Sequence, residues 1–386
     1  MKISISATNP CHLYDLARAL HSRQNLGTYY SGYPLWKLPE SNNLPARSFS
    51  LRTLAVYSSL RLPSRLRPRP RNLFLWQDSH FDRKVARNLQ PCDFVHAMPG
   101  QCLETFRRAR TLGIRRVLNH PTGPPQQNAQ CLHEEYTRVG MRFEEETYYD
   151  QAFYRQQSRE LALADYHCVA SSIVEQQLLS SGIPADRIWT IPYGVNPEIF
   201  HRKKDLSEPI PGPFRILFAG EQTLRKGVRF LLEAFRLSGR SDWEGHFYGS
   251  PSRETERDLL NYRGEPRLHF HGAVNQTELA AAMNRADVLI LPSLEEGFGL
   301  VVVQALSCGL PCLVSDRVGA SDLIQHHQNG SIFPPCHPRA LFEELSWWES
   351  HHRRIEESHS WDLPAETLLR NSTRALEADR PEAVSA

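Results

Sequence analysis

The 386-residue sequence has no CxxC pair, no GxGxxG, no Asp-x-Asp at a strand end and no apolar run approaching the ~20 residues that span a bilayer. Each absence removes a class of protein. The eight cysteines, Cys11, Cys92, Cys102, Cys131, Cys168, Cys308, Cys312 and Cys336, sit mostly in apolar strand or helix patterns and read as reduced core residues. The opening MKISISATNP lacks the long apolar core of a signal peptide, so a cytoplasmic location is expected. Without the third glycine of the dinucleotide fingerprint, whose place after Gly297 and Gly299 is taken by Val302, nicotinamide and flavin binding are disfavoured.

Net charge is a bland +2, but its distribution is not. Up to Asp205 there are 27 Lys and Arg against 18 Asp and Glu, and beyond it 18 against 25. A basic first half suits an acidic partner, either a phosphorylated acceptor or an anionic membrane surface. The segment RLPSRLRPRPR, Arg61 to Arg71, concentrates that charge among prolines that forbid a continuous helix. It is open to two readings, a solvated basic loop or a peripheral contact with lipid headgroups. Nucleic acid is not an expected partner, because no aromatics are interleaved for base stacking.

The chain is too long for one core and suits two domains. Apolar strand patterns at 2–7, 93–96, 115–119, 167–170 and 188–191 alternate with helical patterns at 13–21, 103–112 and 173–180. The alternation resumes with strands at 215–219, 246–248, 268–270, 288–291 and 312–315, and helices at 228–237, 277–284 and 300–308. The fold class is therefore α/β, two Rossmann-like doubly wound domains facing each other across a cleft. The boundaries are 1–205, 206–345 and a helical segment 346–386 crossing back to the first domain with a disordered tail. Hinges are expected in the charged, proline-rich linker His201–Pro213 and between Trp347 and Trp361.

The densest chemical signal is DVLILPSLEEGFGLVVVQALSCGLP, Asp287 to Pro311. A short apolar strand ends at Pro292 and Ser293; Gly297 and Gly299 then let backbone approach a ligand, and the amides of Phe298, Gly299 and Leu300 open a helix whose N-terminus favours an anion. Glu296 stands beside that anion. A second element, GEQTLRKGVRFLLEAF after the strand at 215–219, places Arg225 and Lys226 just before a helix, where two cations oppose the helix dipole unless an anion joins them.

RILFAGEQTLRKGVRFLLEAF, LPSLEEGFGLVVVQALSCGLPCLVSDRVGASDLI and ADRIWTIPYGVNPEIF together resemble the retaining family 4 glycosyltransferases of GT-B fold, the glycosyl transferases of group 1. The likeness covers most of Asp186 to Pro335, and residues 1 to 180 share only the alternation and scattered positions such as DFVHAMPG. It implies transfer of a sugar from a nucleotide diphosphate sugar to a sugar, lipid-linked or other hydroxyl acceptor, with retained configuration, no metal and no cofactor. It suggests a role in bacterial-type surface polysaccharide or glycoconjugate biosynthesis. It puts Arg225 and Lys226 on the diphosphate, Gly220, Val274, Phe298, Gly299, Leu300 and Gln304 around the donor, and Glu296 on the transferred sugar. His120, in HPTGPP, matches the family histidine near that sugar, and Asn9 and His12 fall in the acceptor region.

The chain also departs from the family. Gln304 replaces the second Glu that grips the ribose hydroxyls, Glu221 an arginine, Asn196 an Asp, and NPCHLYDLARAL a glycine-rich turn. An amide has one acceptor oxygen where a carboxylate has two, which weakens ribose binding without abolishing it. Two other readings stay open, a sugar-nucleotide epimerase of the same fold and a non-catalytic sugar-nucleotide binder. The aromatics Tyr136, Phe143, Tyr148, Tyr149, Phe153 and Tyr154 read as core before they read as an acceptor groove, Glu144 to Glu146 as a solvated face, and His96 as a packed residue.

Overall fold

The computed structural model describes residues 1–59, 70–138, 140–143, 151–203, 211–252, 255–262 and 264–378. The basic segment up to residue 69, Glu144 to Glu146 with Tyr148 and Tyr149, the middle of the linker and the last eight residues lie outside them.

Two parallel sheets organise the chain. In the first, β1 (Ile3–Ala7), β2 (Leu26–Ser31), β3 (Ala46–Ser48), β4 (Phe94–Ala97), β5 (Arg115–His120), β6 (Tyr166–Val169) and β7 (Ile188–Thr190) take the order 3-2-1-4-5-6-7. In the second, β8 (Phe214–Ala219), β9 (Trp243–Tyr248), β10 (Leu268–Gly272), β11 (Val288–Leu291), β12 (Cys312–Ser315) and β13 (Gly330–Phe333) take the order 10-9-8-11-12-13. Each order reverses beside its first strand, and doubly wound sheets bind ligands at the carboxyl ends there. That point is β1/β4 in one domain and β8/β11 in the other.

The central strands are apolar on both faces because helices cover both faces. All four residues of β11 are buried. Nearer the edge, β9 alternates buried and half-buried residues. The eight cysteines are free, four of them buried in the two cores.

The domains touch through packed side chains. Leu132, Tyr136 and Phe143 of the first domain form one apolar cluster with Leu224, Phe230 and Leu294 of the second. Tyr136, Phe143 and Tyr154 are all buried, so these three aromatics serve packing.

Beyond the second sheet, the helix Pro338–Ser350 packs on Val228–Ser238 of its own domain, which puts the crossing after residue 350. The chain then runs beside the earlier crossing, where Val195 N donates to His359 O at 2.7 Å and Val195 bridges Ser360. The helix Asp362–Ala378 packs on the helix His12–Ser22 of the first domain. Trp361, Ala365 and Leu368 are buried there, and each large apolar side chain so covered is worth ~1.5–3 kcal/mol. Arg23 holds Asp362 at 2.7 Å. No described helix is long and apolar enough to cross a membrane.

Candidate active site

The turn after β8 carries Arg225 and Lys226, and the turn after β11 carries Glu295 and Glu296, so the switch point brings two cations against two carboxylates. Lys226 Nζ is ion-paired with Glu296 Oε2. Arg225 Nη1 donates to the Glu295 carbonyl oxygen at 2.9 Å and lies 3.4 Å from Glu295 Oε2 and 3.5 Å from Glu296 Oε2. Burial pushes the Glu296 carboxyl up, but Lys226 and then Arg225 more than offset it and hold the group below the usual carboxylate range. At Glu295 burial wins over Arg225, and the carboxyl is raised.

Glu296 is held on both sides by backbone. Its N–H donates to Arg317 O at 3.1 Å and its carbonyl accepts Gly319 N at 2.9 Å. Gly297 is needed for closeness: a Cβ there would stand 2.1 Å from Pro121 O of the first domain. Ser171, also of the first domain, donates its hydroxyl to Gly297 O at 2.6 Å. Gly299, with φ 91°, sits in the left-handed region and starts the helix Leu300–Ser307. Phe298 is 2% exposed and meets Tyr193 edge to face at 5.0 Å, so its ring packs in the interface while its backbone shapes the turn.

Gly220, Val274 and Gln304 line one cavity of about 550 Å³ with Glu221, Tyr248, Gly249, Ser250, Leu279 and Val301. Three positions scattered over 85 residues of sequence thus share a wall. Gly220 continues β8 and Gln304 lies one turn into the helix from Leu300, so the cavity opens beside the cation pair.

Across the cleft, Asn9 and His12 follow β1. The half-buried Asn9 accepts from Tyr57 Oη at 3.3 Å and Gln77 Nε2 at 3.4 Å. His12 stacks on Tyr193 with ring centroids 4.0 Å apart, and Asn119 Nδ2 donates to His12 Nε2 at 3.0 Å. Burial, followed by His96, takes the His12 pKa down to about 3, so the ring is neutral and can accept. Asn119 also reaches His96 Nε2 at 3.3 Å and Tyr193 Oη at 3.4 Å, which makes it the hub of a buried polar network. His120 closes β5, is 8% exposed, and places Nε2 3.1 Å from His167 Nδ1. It lines a cavity of about 70 Å³ within the first domain, together with Pro99, Gly123 and Tyr154. Thr122, two residues on, is the neighbour of Gly297.

Glu295, Asn119, Tyr193 and the cavity residues Tyr248 to Ser250 were not candidates from sequence. Tyr248 to Ser250 had a usable signal, since Tyr248 ends the strand paired with β8 and Gly249 and Ser250 follow it to the same sheet end.

Two doubly wound domains with facing carboxyl ends and a cation pair at the second switch point define the GT-B class, and the solved structures agree. Sucrose-phosphate synthase from Thermosynechococcus elongatus superposes with a TM-score of 0.74 at 17% identity, over 98% of this chain and 100% of that one. HepE from Anabaena, in complex with UDP and glucose, gives 0.66 at 15% identity over 98% and 99%. Residues 201–362 match the family described as Glycosyl transferases group 1. The amylovoran biosynthesis glycosyltransferase AmsK of Erwinia amylovora is 28% identical over 181 residues, 44% of each chain. The chain spans about half the length of the curated relatives it matches.

Proposed function

We propose that this chain moves a sugar from a nucleotide diphosphate sugar to an acceptor hydroxyl with retained anomeric configuration. The observation that carries the reading is the convergence of Arg225 and Lys226 on Glu296, beside a cavity lined by Gly220, Val274 and Gln304. Two cations held by one carboxylate are a diphosphate site in waiting: an arriving diphosphate competes for Lys226 and Arg225, and Glu296 is freed to accept hydroxyls of the sugar. The cavity would take the nucleoside. HepE, of the same fold, is a complex with UDP and glucose, which supports that assignment.

In this reading the diphosphate leaves toward Arg225, Lys226 and the amides of Phe298 to Leu300, which stabilise its growing charge without a metal. The leaving oxygen takes the acceptor hydroxyl's proton, and the acceptor attacks the face just vacated. His120 would orient the sugar from the first domain, and Asn9 and His12 would meet the acceptor. The similarity to AmsK, an amylovoran biosynthesis glycosyltransferase, supports a place in polysaccharide biosynthesis; in this reading the enzyme works at the cytoplasmic side and the basic segment from Arg61 makes a peripheral contact with an anionic membrane.

The experiment is a thermal-shift panel of UDP-, GDP-, ADP- and TDP-sugars with EDTA present, since a ligand that binds the folded state raises its midpoint. A shift with one nucleotide series supports the donor site; no shift with any series removes it. Gln304 favours a second reading, a binder that does not transfer, because it offers the ribose one acceptor oxygen. An epimerase would release nucleotide and an altered sugar with no acceptor present.

A further inference from the structure

A second cluster of chemistry lies outside the cation pair, on the outer face of the sheet edge. Trp243, Gly245 and Phe247 of β9 point into the core, so the alternation puts Glu244, His246 and Tyr248 on the opposite face. His269 of β10 pairs with His246 in register, which brings His269 and His271 to that same face. The residues WEGHFY and LHFHG therefore assemble a carboxylate and three imidazoles on two neighbouring strands.

The distances fit an ion. One ligand atom from each of Glu244, His246 and His269 lies within 4.8 Å of the others. His246 Nε2 is shielded from water and stands 3.5 Å from Glu244 Oε2, longer than a well-formed hydrogen bond but near the ~3.3 Å separation of two ligands on a tetrahedral ion with bonds of ~2.0–2.1 Å. His246 Nδ1 is 3.1 Å from His271 Nε2, the kind of contact that fixes the tautomer of a metal-bound imidazole from behind. The rings of His246 and His269 stack at 4.8 Å, so one ring must rotate about its side-chain bonds for both in-plane lone pairs to meet at one ion.

We propose that Glu244, His246 and His269 bind a divalent ion of the zinc class, with His271 as the outer partner of His246. Two imidazoles and a carboxylate with an open fourth position are a nitrogen and oxygen set that suits zinc. The ion would tie the edge strand β10 to β9. Its position is set against the donor cavity: Tyr248 lines that cavity and stacks on His271 at 4.3 Å with planes 8° apart. The site lies outside the residues proposed for transfer, and it stands whether or not the cavity holds a nucleotide sugar.

The rival cluster among the described residues is His326, His327 and Glu344. There His327 Nε2 already meets Glu344 Oε2 at 3.1 Å and its ring stacks on Trp347 at 3.8 Å. It serves as the internal control.

The test uses the full chain stripped with EDTA and dialysed. Zn²⁺ is titrated by competition with a chromophoric chelator, and Co²⁺ by its visible absorption. The expected result is one equivalent of tightly held ion, with affinity lowered about ten-fold or more in His246→Ala and in His269→Ala and unchanged in His327→Ala. Glu244→Gln, which keeps shape and folding, should weaken binding as well and remove a ligand from the Co²⁺ spectrum. Wild-type affinity in all three edge-strand variants, or loss that follows His327→Ala instead, overturns the site. Melting curves without metal exclude misfolding as the cause.

Discussion

Asp322 caps a helix that belongs to the other domain. Its carboxylate accepts the Ser172 N–H at 2.7 Å and the Ser172 hydroxyl at 2.6 Å, at the N-terminus of the helix Ser172–Ser180. The next residue back, Ser171, donates to Gly297, so one helix end clasps the second domain at two points.

Removing the clasp should loosen the closed arrangement. Asp322→Ala is expected to cost about 1 kcal/mol, the usual worth of a side-chain cap at an accessible helix end. A double-mutant cycle with Ser172→Ala, followed by urea unfolding, checks it; strictly additive losses would show that the two residues are not coupled.

At the cation pair, Lys226→Ala and Arg225→Ala should each weaken nucleotide diphosphate binding by about 1–3 kcal/mol, the scale of a lost charge-assisted hydrogen bond. Calorimetric titration with the nucleotide found in the thermal panel reads this directly. Unchanged affinity in both variants would remove the diphosphate assignment.

Gln304 lines the cavity proposed for the donor, where the group 1 resemblance implies a glutamate. Gln304→Glu should tighten nucleotide binding by about 1 kcal/mol if the ribose hydroxyls reach it, because a carboxylate accepts from both. A large rise in turnover would mark the natural chain as a degenerate transferase, and a fall would show that glutamine is the working residue.

Gly297→Ala sets a Cβ 2.1 Å from Pro121 O and 2.7 Å from Thr122 Cα, both backbone atoms that cannot step aside. Transfer should be abolished while nucleotide binding, which rests on the second domain, persists. Retained turnover would show that the closed arrangement is not the working one.

Acid should destabilise the fold. Burial takes the His96 pKa down to about 4, partly opposed by the hydrogen bond with Asn119, while the unfolded chain titrates near 6.5. Between those values the unfolded state binds the extra proton, so stability is full above pH 6.5 and falls as pH drops toward 4, at roughly 1.4 kcal/mol per pH unit for this one group. His167, also taken down to about 4 by burial, adds to the same window. Melting temperatures across pH 4 to 7 for wild type and His96→Gln read it, and equal slopes would assign the effect to other groups.

The central architecture was legible because its signals are local. Val288 to Leu291 is apolar throughout, as a strand covered on both faces must be, and Gly297, Gly299 and Glu296 follow it without interruption. β2 was not anticipated: LGTYYS sets glycine and threonine straight after its leucine, and its Tyr29 and Tyr30 are nevertheless fully buried, with the Tyr30 hydroxyl donating to Asn88 O at 3.1 Å. β13, GSIF, opens with glycine and serine and leaves only two apolar residues to mark it as a strand. The cation pair was readable as a pair, yet its engagement with Glu296 was not, since 70 residues separate Lys226 from Glu296. His120 was legible as a strand-end histidine; its contact with His167 depends on which strands neighbour one another, and β5 beside β6 is a property of the whole sheet.

The two stretches of chain that link the domains run side by side, joined where Val195 N meets His359 O. A lone connecting strand would leave one domain free to swivel and twist as well as bend. A second segment bridged to the first at that point restricts those degrees of freedom, as a second pin restricts the play of a door. A swing of the second domain about that joint would carry Gly297 away from Pro121 and Thr122 and back to them.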